Sequence, residues 1–256
     1  MQLDEKWAFV YRKQKHCDVQ DLADHQKGDC WDHVAFDPEH RLVLGVSFGK
    51  RSASRVLELV RQVKEQLRGR VPRLVTSDEY AAYATVLRLV FEPPPRPVPS
   101  GQGKKRPRPT PKPSGLTYAA VCKRREKGRV VAVEPRLVLG TEASLARALR
   151  DSAVSAAVNT SFLERHNATD RHRNARRARR TYRFSKDWEV HRLVGYFSYY
   201  TYNFCWCVRS LRRRLGRGRG KNARYQPRTP AMSAGITEHV WTLAQWLARP
   251  VHGLTS

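Results

Sequence analysis

The sequence lacks the features of a membrane protein and of a secreted, disulfide-stabilised domain. No apolar run approaches the roughly 20 residues that a membrane-spanning helix needs, and the N-terminal Met-Gln-Leu-Asp is not a signal peptide. The five cysteines are irregularly spaced and contain no C-x-x-C pair, which argues against a zinc finger or a disulfide framework. Cys205-Trp-Cys207 leaves open a weak metal or redox site, but buried thiols on an apolar helix are the simpler interpretation. We therefore expect a protein of the reducing cytoplasm with no membrane partner.

Acidic residues are scarce. The chain has 23 Asp and Glu against 49 Lys and Arg, a formal net charge of +26 on 256 residues. This excess is far larger than solubility requires and predicts a polyanionic partner, with nucleic acid the first candidate. The cations are spread along the chain with no basic amphipathic anchor, which disfavours a membrane surface. Hydrophobic residues make up 40% of the chain, enough for a sizeable core.

The first 91 residues predict a mixed α/β sheet with the order β-β-β-α-β-α. Runs rich in strand formers are followed by turn residues, and two segments have apolar residues at helical spacing. The predicted strands cover residues 7–11, 31–36, 41–48 and 73–77, and the predicted helices cover 52–67 and 79–90. A strand that follows a helix can join the sheet through a crossover connection, so the fourth strand can lie beside the first.

The remainder of the chain divides into three parts. Residues 92–115 are rich in proline and basic residues and predict an extended insertion, dispensable for folding, whose cations could also touch DNA. Residues 116–211 complete the α/β domain with two strands, a short helix, a helix that contains Glu164 and a long apolar helix. Residues 212–256 predict a basic, glycine-broken loop and a last helix over residues 236–247.

Three carboxylates occupy informative places in this arrangement. Asp4 opens the first strand, Asp78 ends the fourth, and Glu164 lies on a later helix. Open α/β sheets bind ligands at the carboxyl ends of their strands, and adjacency of the first and fourth strands would bring Asp4 and Asp78 together. Converging carboxylates bind hard divalent cations. Each residue also has a simpler interpretation: Asp4 could be a strand-edge charge and Asp78 a helix cap.

The helix that contains Glu164 combines this carboxylate with a dense row of arginines. Helical spacing places Glu164, Asn167 and Arg171 on one face, and a basic run continues to Arg180. This pattern suits a metal ion held against a nucleic-acid phosphate. Alternatively, Ser161-x-x-Glu164 is a capping box that begins the helix, and the arginines form a solvated face.

Several short segments follow one another along the chain: Asp4-Glu-Lys-Trp7, Thr76-Ser-Asp78-Glu-Tyr-Ala-Ala-Tyr83, Glu164-Arg-His-Asn167, Ala178-Arg-Arg-Thr181, Phe184-Ser-Lys186, and the stretches at 229–232 and 235–240. In this order they resemble bacterial insertion-sequence transposases of the DDE type, most nearly the IS-one-like group. The resemblance covers most of the chain outside residues 92–115, and this insertion lengthens the separation of Asp78 from Glu164. Relatives usually carry a DNA-binding region ahead of the first Asp. This chain begins three residues before Asp4 and is expected to lack that region.

The resemblance implies a ribonuclease H-like fold and a catalytic triad of Asp4, Asp78 and Glu164 that binds two Mg²⁺ or Mn²⁺ ions. It implies cleavage of DNA at the element's ends followed by strand transfer, a homo-oligomer on DNA, and a location at the bacterial nucleoid. The residues expected to contact DNA are Arg165, Asn167, Arg171, Arg176, Arg177 and Lys186. Two alternatives stay open: another ribonuclease H-like nuclease, and an inactive DNA-binding remnant of a transposase.

Overall fold

A six-stranded mixed sheet forms the centre of the molecule. The computed structural model describes residues 1–18, 20–92, 115–216 and 224–249. The strands are β1 (Gln2–Val10), β2 (Gly28–Asp37), β3 (Leu42–Gly49), β4 (Val75–Asp78), β5 (Tyr118–Glu126) and β6 (Arg129–Leu139). Their order across the sheet is β3-β2-β1-β4-β5-β6. Strand β4 runs parallel to both β1 and β5, and the other neighbours are antiparallel. The predicted mixed α/β sheet, with its first and fourth strands adjacent, is confirmed.

The helices lie on both faces of the sheet and at the C-terminal end of the described chain. They are α1 (Ala53–Gln66), α2 (Ala81–Phe91), α3 (Glu142–Arg150), α4 (Ser161–Arg173), α5 (Trp188–Cys205), α6 (Pro230–Ser233) and α7 (Leu243–Leu247). A two-stranded ribbon, β7 (Arg213–Leu215) and β8 (Arg224–Gln226), follows α5. No helix in these described ranges has both the length and the apolar character needed to cross a membrane.

Side chains of β1 point alternately to the two faces of the sheet, and each face belongs to a different hydrophobic core. Leu3 packs with the apolar faces of α1 and α2 on one side of the sheet. Val10 belongs to the other core, where Leu163 of α4 and Tyr199 of α5 pack against β2 and β3. Successive strand residues point to opposite faces, so Asp4 and Lys6 share the α4 side of the sheet. The carboxylate of the first strand therefore faces the helix that contains Glu164.

Several predicted boundaries differ from the structure. Strand β1 begins at Gln2, so Asp4 lies within the strand and not at its start. The single helix predicted over 236–247 is wrong: α6 ends before Gly235, whose φ of 71° is left-handed, and α7 begins only at Leu243. The long helix α5 ends at Cys205, and the ribbon occupies part of the predicted basic loop. The insertion lies almost wholly outside the described residues, since 93–114 are not among them.

Candidate functional site

The pairing of β1 with β4 places two carboxylates side by side. Gln2 of β1 pairs with Thr76 of β4, and Asp4 and Asp78 lie two residues further along each strand. One carboxylate oxygen from each of Asp4, Glu5 and Asp78 lies within 4.8 Å of the other two. In the described ranges this is the one group of three such side chains close enough to share a metal ion. We call Asp4, Glu5 and Asp78 the acidic site.

Glu5 is the member of the acidic site that sequence reasoning missed. Its side chain starts on the opposite face of β1 from Asp4, so strand alternation gives no reason to pair them. Strand β4 ends at Asp78, and a carboxylate oxygen of Glu5 nevertheless lies within 4.8 Å of those of Asp4 and Asp78. Glu5 is 8% exposed, and Arg51 donates to its Oε2 at 3.3 Å. Its buried Oε1 accepts no hydrogen bond within 3.5 Å among the described residues, although the buried Tyr83 hydroxyl is near enough to lower the pKa of Glu5. An oxygen without a close donor suits an atom that binds a cation.

The electrostatics of the acidic site disfavour three bare negative charges. Burial, followed by the charge of Asp78, raises the pKa of Asp4 to about 6. Burial and Asp78 also raise the pKa of Glu5 to about 7, against the opposing charge of Arg51. Desolvation and like charges both penalise ionisation, and a bound divalent cation would relieve both.

Hydrogen bonds join helix α4 to β1 and β4 beside these carboxylates. The Oε1 of Gln2 accepts from the backbone N–H of Leu163 at 2.9 Å. The carbonyl of Asn159 accepts from Gln2 Nε2 and from Thr76 Oγ1, both at 2.8 Å. Asn167 Nδ2 then donates to Asp4 Oδ2 at 2.8 Å. Asn167 therefore orients the carboxylate of Asp4 from the buried face of the helix.

Glu164 lies at the margin of the acidic site. Its carboxylate accepts from Lys123 Nζ at 2.8 Å and from the Thr160 hydroxyl at 3.0 Å, and its side chain is 48% exposed. The Lys123 bond, with a smaller contribution from Thr160, lowers the pKa of Glu164 despite its partial burial. Glu164 is near enough for its charge to contribute to the raised pKa of Asp4. Of the three predicted carboxylates, the structure brings Asp4 and Asp78 together and places Glu164 beside them.

The alternative interpretation of Glu164 as the capping-box partner of Ser161 is wrong. Thr160 is the N-cap residue and Ser161 is the first residue of the helix. The Ser161 hydroxyl donates to Asn159 Oδ1 at 2.8 Å and does not cap the helix. The Glu164 carboxylate is therefore free of a structural capping role with Ser161.

The residues predicted to contact DNA separate into two groups. Arg165 and Lys186 are exposed, and Arg171 and Arg176 are half-buried, so these four remain candidates for phosphate contacts. Arg177 is a correction: it is 3% exposed and its guanidinium binds Asp32, so it does not face DNA. Asn167 is a second correction, because it is 4% exposed and its amide donates to Asp4.

Arg177 belongs to a second charged cluster, which we call the buried ionic network. It consists of Lys6, Asp32, Asp170 and Arg177. Lys6 lies 3.3 Å from Asp32 and also bonds Asp170. Arg177 contacts Asp32 through Nε at 2.5 Å and Nη2 at 3.1 Å. Burial opposes ionisation of Asp32, but the charges of Arg177 and Lys6 outweigh it and hold its pKa well below the ordinary value. Two cations thus neutralise two carboxylates inside the fold.

The chain matches no protein-family model, no curated protein and no solved structure. The chemistry of the site itself is informative. Three carboxylates within 4.8 Å can hold a hard divalent cation, and the chain as a whole carries a net charge of +26. Together they suit a reaction at a phosphodiester, in which a cation and basic side chains neutralise the phosphate.

Proposed function

We propose that this chain is a DDE-type insertion-sequence transposase that cleaves DNA strands and joins them to a target with divalent metal ions. The observation that carries the proposal is the convergence of Asp4, Glu5 and Asp78 within 4.8 Å on a chain of net charge +26. Neither feature alone is specific, because acidic clusters and basic surfaces are both common. A desolvated carboxylate cluster beside an arginine-rich helix is what metal-assisted phosphoryl transfer requires.

The fold supports the same proposal. The strand order β3-β2-β1-β4-β5, with β1 antiparallel to β2 and parallel to β4, is compatible with the ribonuclease H-like fold that the sequence resemblance implies. It brings the first and second acidic residues of the resemblance, Asp4 and Asp78, to adjacent strands. Glu164 lies on a helix that hydrogen bonds attach to those strands.

The residues fit ions of the Mg²⁺ and Mn²⁺ class. All the donors are carboxylate oxygens, and Oε1 of Glu5 accepts no hydrogen bond within 3.5 Å among the described residues. Asp4, Glu5 and Asp78 would hold an ion, and Glu164, whose charge acts on Asp4, would complete a second position. Bound ions would activate an attacking oxygen and neutralise the leaving one. Asn167 keeps Asp4 oriented, Lys123 holds Glu164 nearby, and Arg165, Arg171, Arg176 and Lys186 bind the DNA backbone.

The test is metal-dependent cleavage by the full chain. Wild-type protein should nick supercoiled plasmid in Mn²⁺ or Mg²⁺ and not in chelator. Asp78→Asn and Glu164→Gln should lower the rate at least about 100-fold, since even residues that only orient metal ligands typically cost 10- to 100-fold. The matched control is Asp151→Asn, which removes the same charge from a half-exposed side chain after α3 and should nick normally.

Two further results decide among the alternatives. One is a plasmid assay with the DNA that flanks the gene. Products in which a cleaved end is joined to target DNA would distinguish a transposase from a nuclease that only hydrolyses DNA. Calorimetry with Mn²⁺ alone addresses the inactive DNA-binding alternative, because a chain whose acidic site binds no Mn²⁺ and nicks nothing would still bind DNA by charge. Equal nicking by Asp78→Asn and wild type would contradict the proposed site.

A further inference from the structure

The face of α4 opposite Asn167 lines a large basic pocket. Arg165, Thr169 and Arg173 recur every four residues on this face, and the pocket has a volume of about 880 Å³. It lies among α4, the turn after β2, the end of α5 and the ribbon. Five of its lining residues are arginines and none is acidic, within the part of the chain that the structure describes. The arginines are Arg41, Arg165, Arg173, Arg209 and Arg212.

These arginines lack the counter-ions that other charged groups of the protein have. None of the five forms an ion pair with a carboxylate among the described residues, although Arg177 and Lys6 do so a short distance away. Burial lowers the pKa of Arg41 by more than Tyr202 and the carboxylate of Asp37 raise it, and the positive charge of Arg165 acts in the same direction as burial. Positive charge collected in a partly enclosed space without a counter-ion attracts an anion from outside.

Aromatic rings alternate with the guanidinium groups along this surface. The guanidinium of Arg173 lies 3.0 Å from the ring centre of Trp206, and that of Arg212 lies 3.8 Å from that of Tyr225. Trp206 is nevertheless 48% exposed and Tyr225 is 39% exposed, so part of each ring faces solvent. Flat rings and guanidinium planes are the surfaces on which unpaired bases stack. An acidic peptide would satisfy the charges but would leave the rings without a stacking partner.

We propose that this pocket, the Trp206 pocket, binds an unpaired nucleotide of single-stranded DNA. The base stacks on Trp206, and the phosphate lies among the arginines. A paired base in a duplex has both faces covered by its neighbours and cannot stack on a side chain without leaving the helix. The proposal depends on the proposed function only in taking DNA as the partner. It adds a single-strand site on the other side of α4 from the acidic site.

The test measures binding in chelator, where no cleavage occurs. Fluorescence polarisation would compare a labelled ten-residue oligo-dT with the same strand carrying abasic sites, on the full chain. Trp206→Ala should weaken oligo-dT binding about 5- to 150-fold, the effect of one lost stacking contact. Trp206→Phe, which keeps a ring, should restore most of the affinity. The abasic strand should bind the wild type weakly and should be insensitive to Trp206→Ala.

Two controls separate stacking from charge and from misfolding. Tyr182→Ala removes a ring that is 99% exposed elsewhere and should leave oligo-dT binding unchanged. Arg212→Ala, at an exposed position beside Tyr225, should weaken oligo-dT binding more than Arg61→Ala, which removes the same charge from α1. Arg212→Ala also provides an independent test if circular dichroism shows that Trp206→Ala is unfolded.

Three outcomes would overturn the proposal. Trp206→Ala could behave like Tyr182→Ala, or it could weaken duplex binding as much as single-strand binding. Alternatively, poly-glutamate could compete as well as oligo-dT at equal charge, which would assign the pocket to acidic polypeptides. Failure of this proposal can be distinguished from failure of the proposed function. Trp206-dependent binding by a chain that never cleaves DNA would contradict the transposase proposal alone. Normal cleavage with binding that does not depend on Trp206 would contradict the pocket proposal alone.

Discussion

The acidic site and the buried ionic network are neighbours built from the same residue types, with opposite electrostatics. Asp4 and Lys6 are two residues apart on one face of β1. In the network, Lys6 and Arg177 compensate Asp32 and Asp170, whose pKa values fall below the ordinary range despite burial. In the acidic site, burial and then the charge of Asp78 raise the pKa values of Asp4 and Glu5, and among the described groups Arg51 is the one cation that forms an ion pair with any of the three carboxylates. The carboxylates of the buried ionic network are therefore neutralised by cations of the protein. Those of the acidic site have too little positive charge beside them and could bind a cation from solution.

Breaking the network should produce the largest effect on stability. Lys6→Met keeps most of the side-chain volume but leaves Asp170 buried without its main cation. Removing one partner of a buried ion pair typically costs about 3–5 kcal/mol, because the other charge stays desolvated. Urea unfolding followed by circular dichroism should show a loss of this size in the free energy of unfolding. A loss below about 1 kcal/mol, the scale of an exposed ion pair, would mean that the network is not buried in solution.

Acid should weaken the fold in two separable pH ranges. Burial lowers the pKa of His33, which follows Asp32 in β2, to about 4. The unfolded chain protonates this imidazole near pH 6.5, so the contribution of His33 to stability is complete above that pH and falls as the pH drops toward 4, by up to about 3 kcal/mol. Asp32 and Asp170 have lowered pKa values, so their contribution is lost only below about pH 4. His33→Asn should reduce the loss of stability in the first range of a pH series of urea titrations and keep the second. Part of the first range should remain, because burial also lowers the pKa values of His166 and His191. Equal slopes for wild type and His33→Asn between pH 6.5 and 4.5 would contradict the buried neutral imidazole of His33.

The acidic site should respond to mutation in the opposite sense to the network. Asp78→Asn removes one of three neighbouring negative charges and can keep the acceptor for the backbone N–H of Tyr80. Without metal, we expect this change to raise the free energy of unfolding by about 1 kcal/mol, the scale of one partly screened like-charge contact. Mg²⁺ at 100 times its dissociation constant should stabilise the wild type by about 2.7 kcal/mol and the variant by much less. Thermal melts with and without Mg²⁺ measure both effects, and Asp151→Asn is the matched control. Destabilisation of the metal-free protein by Asp78→Asn would show that its carboxylate has a structural role.

The features that the sequence alone predicted depend on local patterns. Apolar residues three and four apart predicted α1, and a helix between the third and fourth strands was enough to place β4 beside β1. That adjacency in turn predicted the pairing of Asp4 with Asp78. Glu5 was missed because strand alternation sends its side chain to the other face of β1, yet its carboxylate lies within 4.8 Å of those of Asp4 and Asp78. The tertiary fold decides which carboxylates lie near Glu5, and the spacing of residues in the sequence cannot predict this.

Arg177 shows a second limit of the sequence. It lies in a run of arginines with no local feature that separates it from Arg176, yet it is buried and Arg176 is half-exposed. The signal lay elsewhere in the chain: Lys6 and Asp32 are charged residues within otherwise apolar strands, and buried charges are paired. Two opposite charges in the first two strands indicate an internal network, but they do not say which arginine completes it.

The smallest predicted effect tests whether Glu164 belongs to the acidic site or is only the partner of a surface ion pair. Glu164 is half-exposed, paired with Lys123, and adjacent to the acidic site. Exposed ion pairs contribute little, so Lys123→Met should change the free energy of unfolding by no more than about 0.5 kcal/mol. If Glu164 belongs to the metal site, removal of this competing cation should tighten Mn²⁺ binding about twofold, measured by calorimetry. In a Glu164→Gln background the same Lys123→Met change should have a smaller effect on Mn²⁺ affinity, because the two substitutions act on one contact. Equal effects in both backgrounds would mean that Lys123 acts on the acidic site directly, and that Glu164 does not bind the metal.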